Sequence, residues 1–108
     1  MYFFINGIQW RIVFVPAFSE YLQRSDGSYT IGMTDSNTNT VYICNKLHGD
    51  KLRHVFCHEL VHCFMFSHSI YIPIEQEEFI ASWVADYGEE LIIILDNIMN
   101  AVLKNRAV

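Results

Sequence analysis

His58-Glu59-Leu60-Val61-His62 is the stretch of this chain whose residue types and spacing could do chemistry. Two histidines four apart lie one turn apart on the same face of a helix. Both imidazoles can then reach one Zn²⁺ at about 2.0–2.1 Å. Glu59, next to the first histidine, is poorly placed to join that coordination. It can instead reach a water activated by the metal, which is the position of a general base. Two unrelated core or surface histidines with a chance glutamate are the weaker reading. The chain's own His and Glu frequencies give such a match roughly one time in a hundred.

A catalytic zinc takes three protein ligands and keeps one position open. Spacing alone leaves several candidates for the third. His68 lies six residues beyond His62, with Met65 where a chain turning sharply out of a helix would want glycine. Glu75, Glu77 and Glu78 stand at the start of a second predicted helix, where the helix dipole favours carboxylates whatever their role. Tyr71 and Tyr87 could donate a hydrogen bond to a developing oxyanion, although tyrosines at such positions are commonly core. His48 and His54 read as solvated. Cys57 and Cys63 flank the motif and read as small buried hydrophobes.

Glu78-Phe79-Ile80-Ala81-Ser82-Trp83-Val84-Ala85 follows the pattern E-x-x-A-(D/N)-x-apolar-A, with Ser82 where Asp or Asn is usual. With H-E-x-x-H ahead of it, the chain resembles the gluzincins over about residues 29 to 87. It is more similar still to the ImmA/IrrE-like peptidases and the very short minigluzincins. The resemblance implies a zincin-like α+β fold with one Zn²⁺ held by His58, His62 and Glu78. It implies Glu59 as the catalytic base of a metallopeptidase. The substrate would be an intracellular protein, such as a repressor or other regulator, in a phage or mobile-element setting. In that family the residue at position 82 buttresses a ligand histidine. An extended substrate would add to an antiparallel edge strand, here Tyr29 to Thr34 or Thr40 to Asn45. The competing reading is a zinc-stabilised, catalytically silent module that binds a protein partner. A chain this short gains from a metal staple. A purely structural site, however, needs no general base and closes with a fourth protein ligand; Glu59 is present and no fourth ligand is evident.

The elements that must position these residues fall into two halves. The first half reads as strands. Tyr2 to Ile5 and Ile8 to Val15 flank Asn6-Gly7, a pair suited to a type I′ hairpin turn because both positions tolerate positive φ. Pro16 ends the second strand, and Ser25 to Ser28 form a turn cluster. Tyr29 to Thr34 and Thr40 to Asn45 read as two more strands around a polar loop. The second half reads as helix. Asp50 is the expected N-cap of a helix running to about Phe66, with Leu52, Val55, Phe56, Leu60, Cys63 and Phe64 on its apolar face. After Pro73 a second helix starts near Glu75, with Ile80, Trp83, Val84 and Tyr87 lining one face, meets Gly88, which would end or weaken it, and continues from Glu89 to Lys104.

Composition bounds the rest. At 108 residues the chain fits one minimal domain, too short for a two-lobed cofactor enzyme or a (β/α)₈ barrel. It is 52% hydrophobic and 18% charged, which excludes a disordered chain. A net charge of −5 without a basic run argues against nucleic acid as a partner. Three cysteines without CxxC fit free thiols in a reducing cytoplasm better than a disulfide framework. The N-terminus has no basic n-region ahead of an apolar core. The apolar run Leu91 to Leu103 is interrupted by Asp96, Asn97 and Asn100, so no membrane span is expected.

Overall fold

The computed structural model describes residues 1–106 and has an α+β architecture: a small mixed sheet and two helices. Strands β1 (Tyr2–Ile5) and β2 (Ile8–Val15) form the expected hairpin with the expected bounds. Asn6 and Gly7 take φ of 51° and 77°, the positive values that a type I′ turn demands. Strands β3 (Gly32–Asp35) and β4 (Thr40–Cys44) complete a sheet of order β1-β2-β4-β3. β1 with β2 and β3 with β4 are antiparallel, whereas β2 and β4 run parallel.

Every residue of β4 is buried. Its side chains alternate between two small cores, following the two-residue period of a strand. Val41 and Ile43 join Ile5, Trp10, Val55 and Cys63 between the sheet and helix α1 (Gly49–Ser67). Tyr42 and Cys44 join Val15 and Leu22 on the other face, beneath a single 3-10 turn at Glu20–Leu22. Trp10 anchors the first core. Its indole N–H donates to Ser67 Oγ at 2.8 Å, and the ring meets Phe66 edge-on. Asn6 Nδ2 donates to the Ser67 carbonyl at 3.0 Å, so the hairpin turn also grips the last residue of α1.

Helix α2 (Ile74–Arg106) runs unbroken for 33 residues, about 50 Å at 1.5 Å per residue. Its first half packs on α1, and two exposed polar contacts fasten the seam: a hydrogen bond between His54 and Asp86 at 2.8 Å and an ion pair between Arg53 and Glu89 at 3.2 Å. Its second half leaves the body, and residues 89–106 are exposed apart from half-buried Val102. No helix among the described residues is long and apolar enough to cross a membrane.

Several sequence expectations need correction. The third strand occupies Gly32–Asp35 rather than Tyr29 to Thr34, because Tyr29 is drawn back into an isolated bridge with Gln23 across the Ser25–Ser28 turn. Thr40 to Asn45 is no edge. The parallel pairing with β2 puts β4 in the interior of the sheet and leaves β3 outside it. His48, not Asp50, is the N-cap of α1; its side chain makes no capping bond, and Asp50 sits in the first turn, where a carboxylate still suits the dipole. Gly88 does not end α2. Phe64, expected on the apolar face of α1, is exposed and stacks on His68. Trp83 and Tyr87, expected on one apolar face of α2 with Ile80 and Val84, are exposed and pack on each other.

Candidate metal centre

His58 and His62 lie on the face of α1 turned toward the first turns of α2. Their Nε2 atoms both meet the carboxylate of Glu78: His58 Nε2 lies 3.1 Å from Oε2, and His62 Nε2 lies 2.9 Å from Oε1. One ligand atom from each of the three residues falls within 4.8 Å of the other two. A tetrahedral ion with 2.0–2.1 Å bonds holds its ligand atoms ~3.3 Å apart, so these separations approach those of a shared ion.

Glu77, weighed from sequence as a ligand or a plain first-turn carboxylate, takes a different part. Its Oε2 lies 2.6 Å from His62 Nδ1. A carboxylate only accepts, so Nδ1 carries the proton, and the lone pair of a neutral imidazole is then on Nε2, facing Glu78. If protons alone bridged both histidines to Glu78, His62 would carry one on each nitrogen and be an imidazolium. One cation in their place satisfies the same atoms with two neutral imidazoles. The donor set of two such nitrogens and a carboxylate oxygen, with one ring oriented by a second carboxylate, could hold a divalent metal ion. Ser82, at the position expected to buttress a ligand histidine, is exposed, and the carboxylate that orients a ligand ring is Glu77.

Glu59 is 7% exposed and stands beside this group. Thr34 Oγ, on edge strand β3, donates to Glu59 Oε1 at 3.0 Å. The other oxygen, Oε2, lies 4.0 Å from His58 Nε2 and is oriented toward the cluster. Burial raises the Glu59 carboxyl above its ordinary range; the Thr34 hydroxyl and the two neighbouring histidines pull it part of the way back. Gly32 makes room for this carboxylate. A Cβ there would stand 2.7 Å from Val55 Cγ1 and 3.2 Å from Glu59 Cγ. Neither Thr34 nor Gly32 carried a sequence signal, because each acts through a strand-to-helix contact 23 to 27 residues away in the chain.

The cluster opens into a cleft of about 700 Å³ between β3 and the two helices. Thr34 of β3 lines the cleft with Gln23, Arg24, Thr30 and Ser36 around it, and Phe66, Ile70, Tyr71 and Ile74 add an apolar stretch. Tyr71 thus lies at the cleft, 77% exposed, whereas Tyr87 is outside it. No residue beyond Glu78 lines the cleft. His68 caps the C-terminus of α1, is exposed, and is not in the cluster. Glu75 is exposed and is likewise outside it. Cys63 is buried and its thiol is pushed up to about 12 by that burial, so it is inert packing. Cys57 is half-buried, its Sγ 3.9 Å from the Val84 carbonyl. His48 and His54 are exposed, the latter bound to Asp86. Searches against family models and against curated proteins return no match for this chain.

Proposed function

We propose that the protein is a minimal zinc metallopeptidase of the gluzincin kind. One observation carries the reading: the Nε2 atoms of His58 and His62 converge on Glu78 while the buried carboxylate of Glu59 stands 4.0 Å from His58 Nε2. His58, His62 and Glu78 would hold the ion, and Glu77 would keep the His62 ring in register. Bound zinc supplies Lewis acidity, polarising a peptide carbonyl and making a water acidic near neutral pH. Glu59 Oε2 accepts the proton of the attacking water and returns it to the departing amine. Thr34 anchors Oε1, so the two oxygens are not equivalent and Oε2 is the one left for proton transfer. The edge strand β3 offers an extended peptide a backbone to pair with, directly above the cluster. An intracellular regulatory protein is the substrate class the family resemblance favours, and the three free cysteines are compatible with a reducing cytoplasm.

The test uses three variants and two readouts. Glu59→Gln should retain zinc after dialysis and lose hydrolysis of a denatured-protein substrate by at least ~100-fold. Glu78→Ala should lose zinc, and His68→Ala should keep it. Full hydrolysis by Glu59→Gln would refute the mechanism. Zinc binding by wild type with no hydrolysis in any protein or peptide pool would favour the silent binding module instead.

A further inference from the structure

The half of α2 beyond Gly88 has the character of an interface with nothing on it. Leu91, Ile94, Leu95 and Ile98 are each 47–54% exposed, and with Val102 they fall on one face at the spacing of a helix stripe. A helix this apolar that stands clear of its own body ordinarily buries that face against something else. Beside the stripe, Glu90, Asn97 and Lys104 recur at intervals of seven and so share one flank.

We infer that this arm pairs with the arm of a second copy, antiparallel, about a twofold axis near Asn97. The charges choose the direction. An antiparallel pair places equivalent flanks together, so Glu90 of each copy faces Lys104 of the other and the two Asn97 amides meet at the axis. Glu90, at the start of the arm and next to the Glu89 already held by Arg53, then lies against the basic end of its partner. A parallel pair would gather acidic starts at one end and basic ends at the other. The lengths agree as well. The described arm from Glu90 to Arg106 spans about 25 Å, long enough for both Glu90–Lys104 pairs to form at once. Side chains of this size, about half exposed, bury on the order of 1,000 Å² in total between two such arms, the range of a reversible dimer rather than an obligate one. The pairing is independent of the metal centre, which the arm does not touch.

Sedimentation equilibrium of the full chain, with zinc and with chelator, tests this from low to high micromolar concentration. A monomer–dimer equilibrium is expected in both conditions. Leu95→Glu with Ile98→Glu should leave a monomer of unchanged circular dichroism. Glu90→Lys should raise the dimer Kd by roughly tenfold, since the pair occurs twice, and adding Lys104→Glu should restore it. A chain that stays monomeric at every concentration overturns the proposal, as does a dimer that survives the Leu95/Ile98 change. Failure of Lys104→Glu to rescue Glu90→Lys overturns the antiparallel register. Flotation of the monomer with phosphatidylglycerol vesicles, without self-association in solution, would assign the arm to a lipid surface and refute the pairing.

Discussion

Replacing Gly32 with alanine adds one methyl at a close approach between the sheet and helix α1, which carries His58, Glu59 and His62. The new Cβ would stand 2.7 Å from Val55 Cγ1, whereas carbon atoms rest about 3.5–4.0 Å apart. Close to 1 Å must therefore be found. Val55 cannot yield it cheaply. It is 7% exposed and wedged against the buried core, and a β-branched side chain in a helix has one strongly preferred rotamer. The strand has to lift instead, and β3 can do so because it lies at the sheet edge. Overpacking of this kind costs about 1–3 kcal/mol, or a Tm lowered by about 4–8 °C for each kcal/mol in a chain of this size. Lifting β3 also stretches the Thr34–Glu59 hydrogen bond from 3.0 Å towards the limit of such a bond. Calorimetry of Gly32→Ala should show the loss of Tm with and without metal, and hydrolysis should fall further than stability alone explains. Val55→Ala in the same chain should make the Gly32→Ala step cheaper, a coupling that a double-mutant cycle reads directly. An unchanged Tm, or strictly additive losses in the cycle, would refute the close-approach argument.

Two further outcomes follow from the site and its packing. Glu77→Gln keeps the ligand set but replaces a carboxylate acceptor on His62 Nδ1 with an amide; zinc affinity should fall by roughly 10- to 100-fold, measured by competition with a chromogenic chelator. Cys63 should make the fold alkali-sensitive. Its thiol is held protonated up to about 12 in the native state, against 9.0 ordinarily. Between those values the native chain binds a proton that the unfolded chain has released, so stability falls as pH rises, by at most about 1.4 kcal/mol per pH unit. Denaturant melts from pH 8 to 11 should show this slope in wild type and its loss in Cys63→Ala; equal slopes would place the alkaline sensitivity elsewhere.

What the sequence disclosed was what depends on near neighbours. Asn6-Gly7 between two apolar runs marked the hairpin to the residue, since turn type and register are set within a few positions. The interval from His58 to His62 rests on helical pitch and was legible locally, whereas Glu78 stood out from His68, Glu75 and Glu77 only through the resemblance of Glu78 to Ala85 to a family pattern; the structure groups it with the two histidines. Glu77 shows where such reading stops. Its neighbour on the helix was marked as a ligand, but whether Glu77 points to solvent or to His62 Nδ1 is decided by how α2 lies across α1. Thr34 is similar: nothing local distinguishes it from the other threonines around it, and only the order β2-β4-β3 lays it against Glu59. That order also misled the choice of edge strand, because a parallel pairing between β2 and β4 skips the strand that separates them in the chain. Gly88 did not break α2, because the residues on either side of it favour helix strongly enough to absorb the roughly 1 kcal/mol that glycine costs.

The clasp between Trp10 and Ser67, with Asn6 on the same residue, sets an order in time. These contacts join positions 57 and 61 residues apart, and closing so long a loop precedes any reward from it. The hairpin can fold as soon as it is made, yet the end of the helix that carries His62 is not fixed until Ser67 exists to be grasped, and Glu78 follows later still. During synthesis the two histidines emerge as a bare pair on an unpinned helix, able to hold metal only loosely. All three residues of the cluster come together only once sheet, clasp and second helix have closed, so on the proposed reading metal uptake would be coupled to folding.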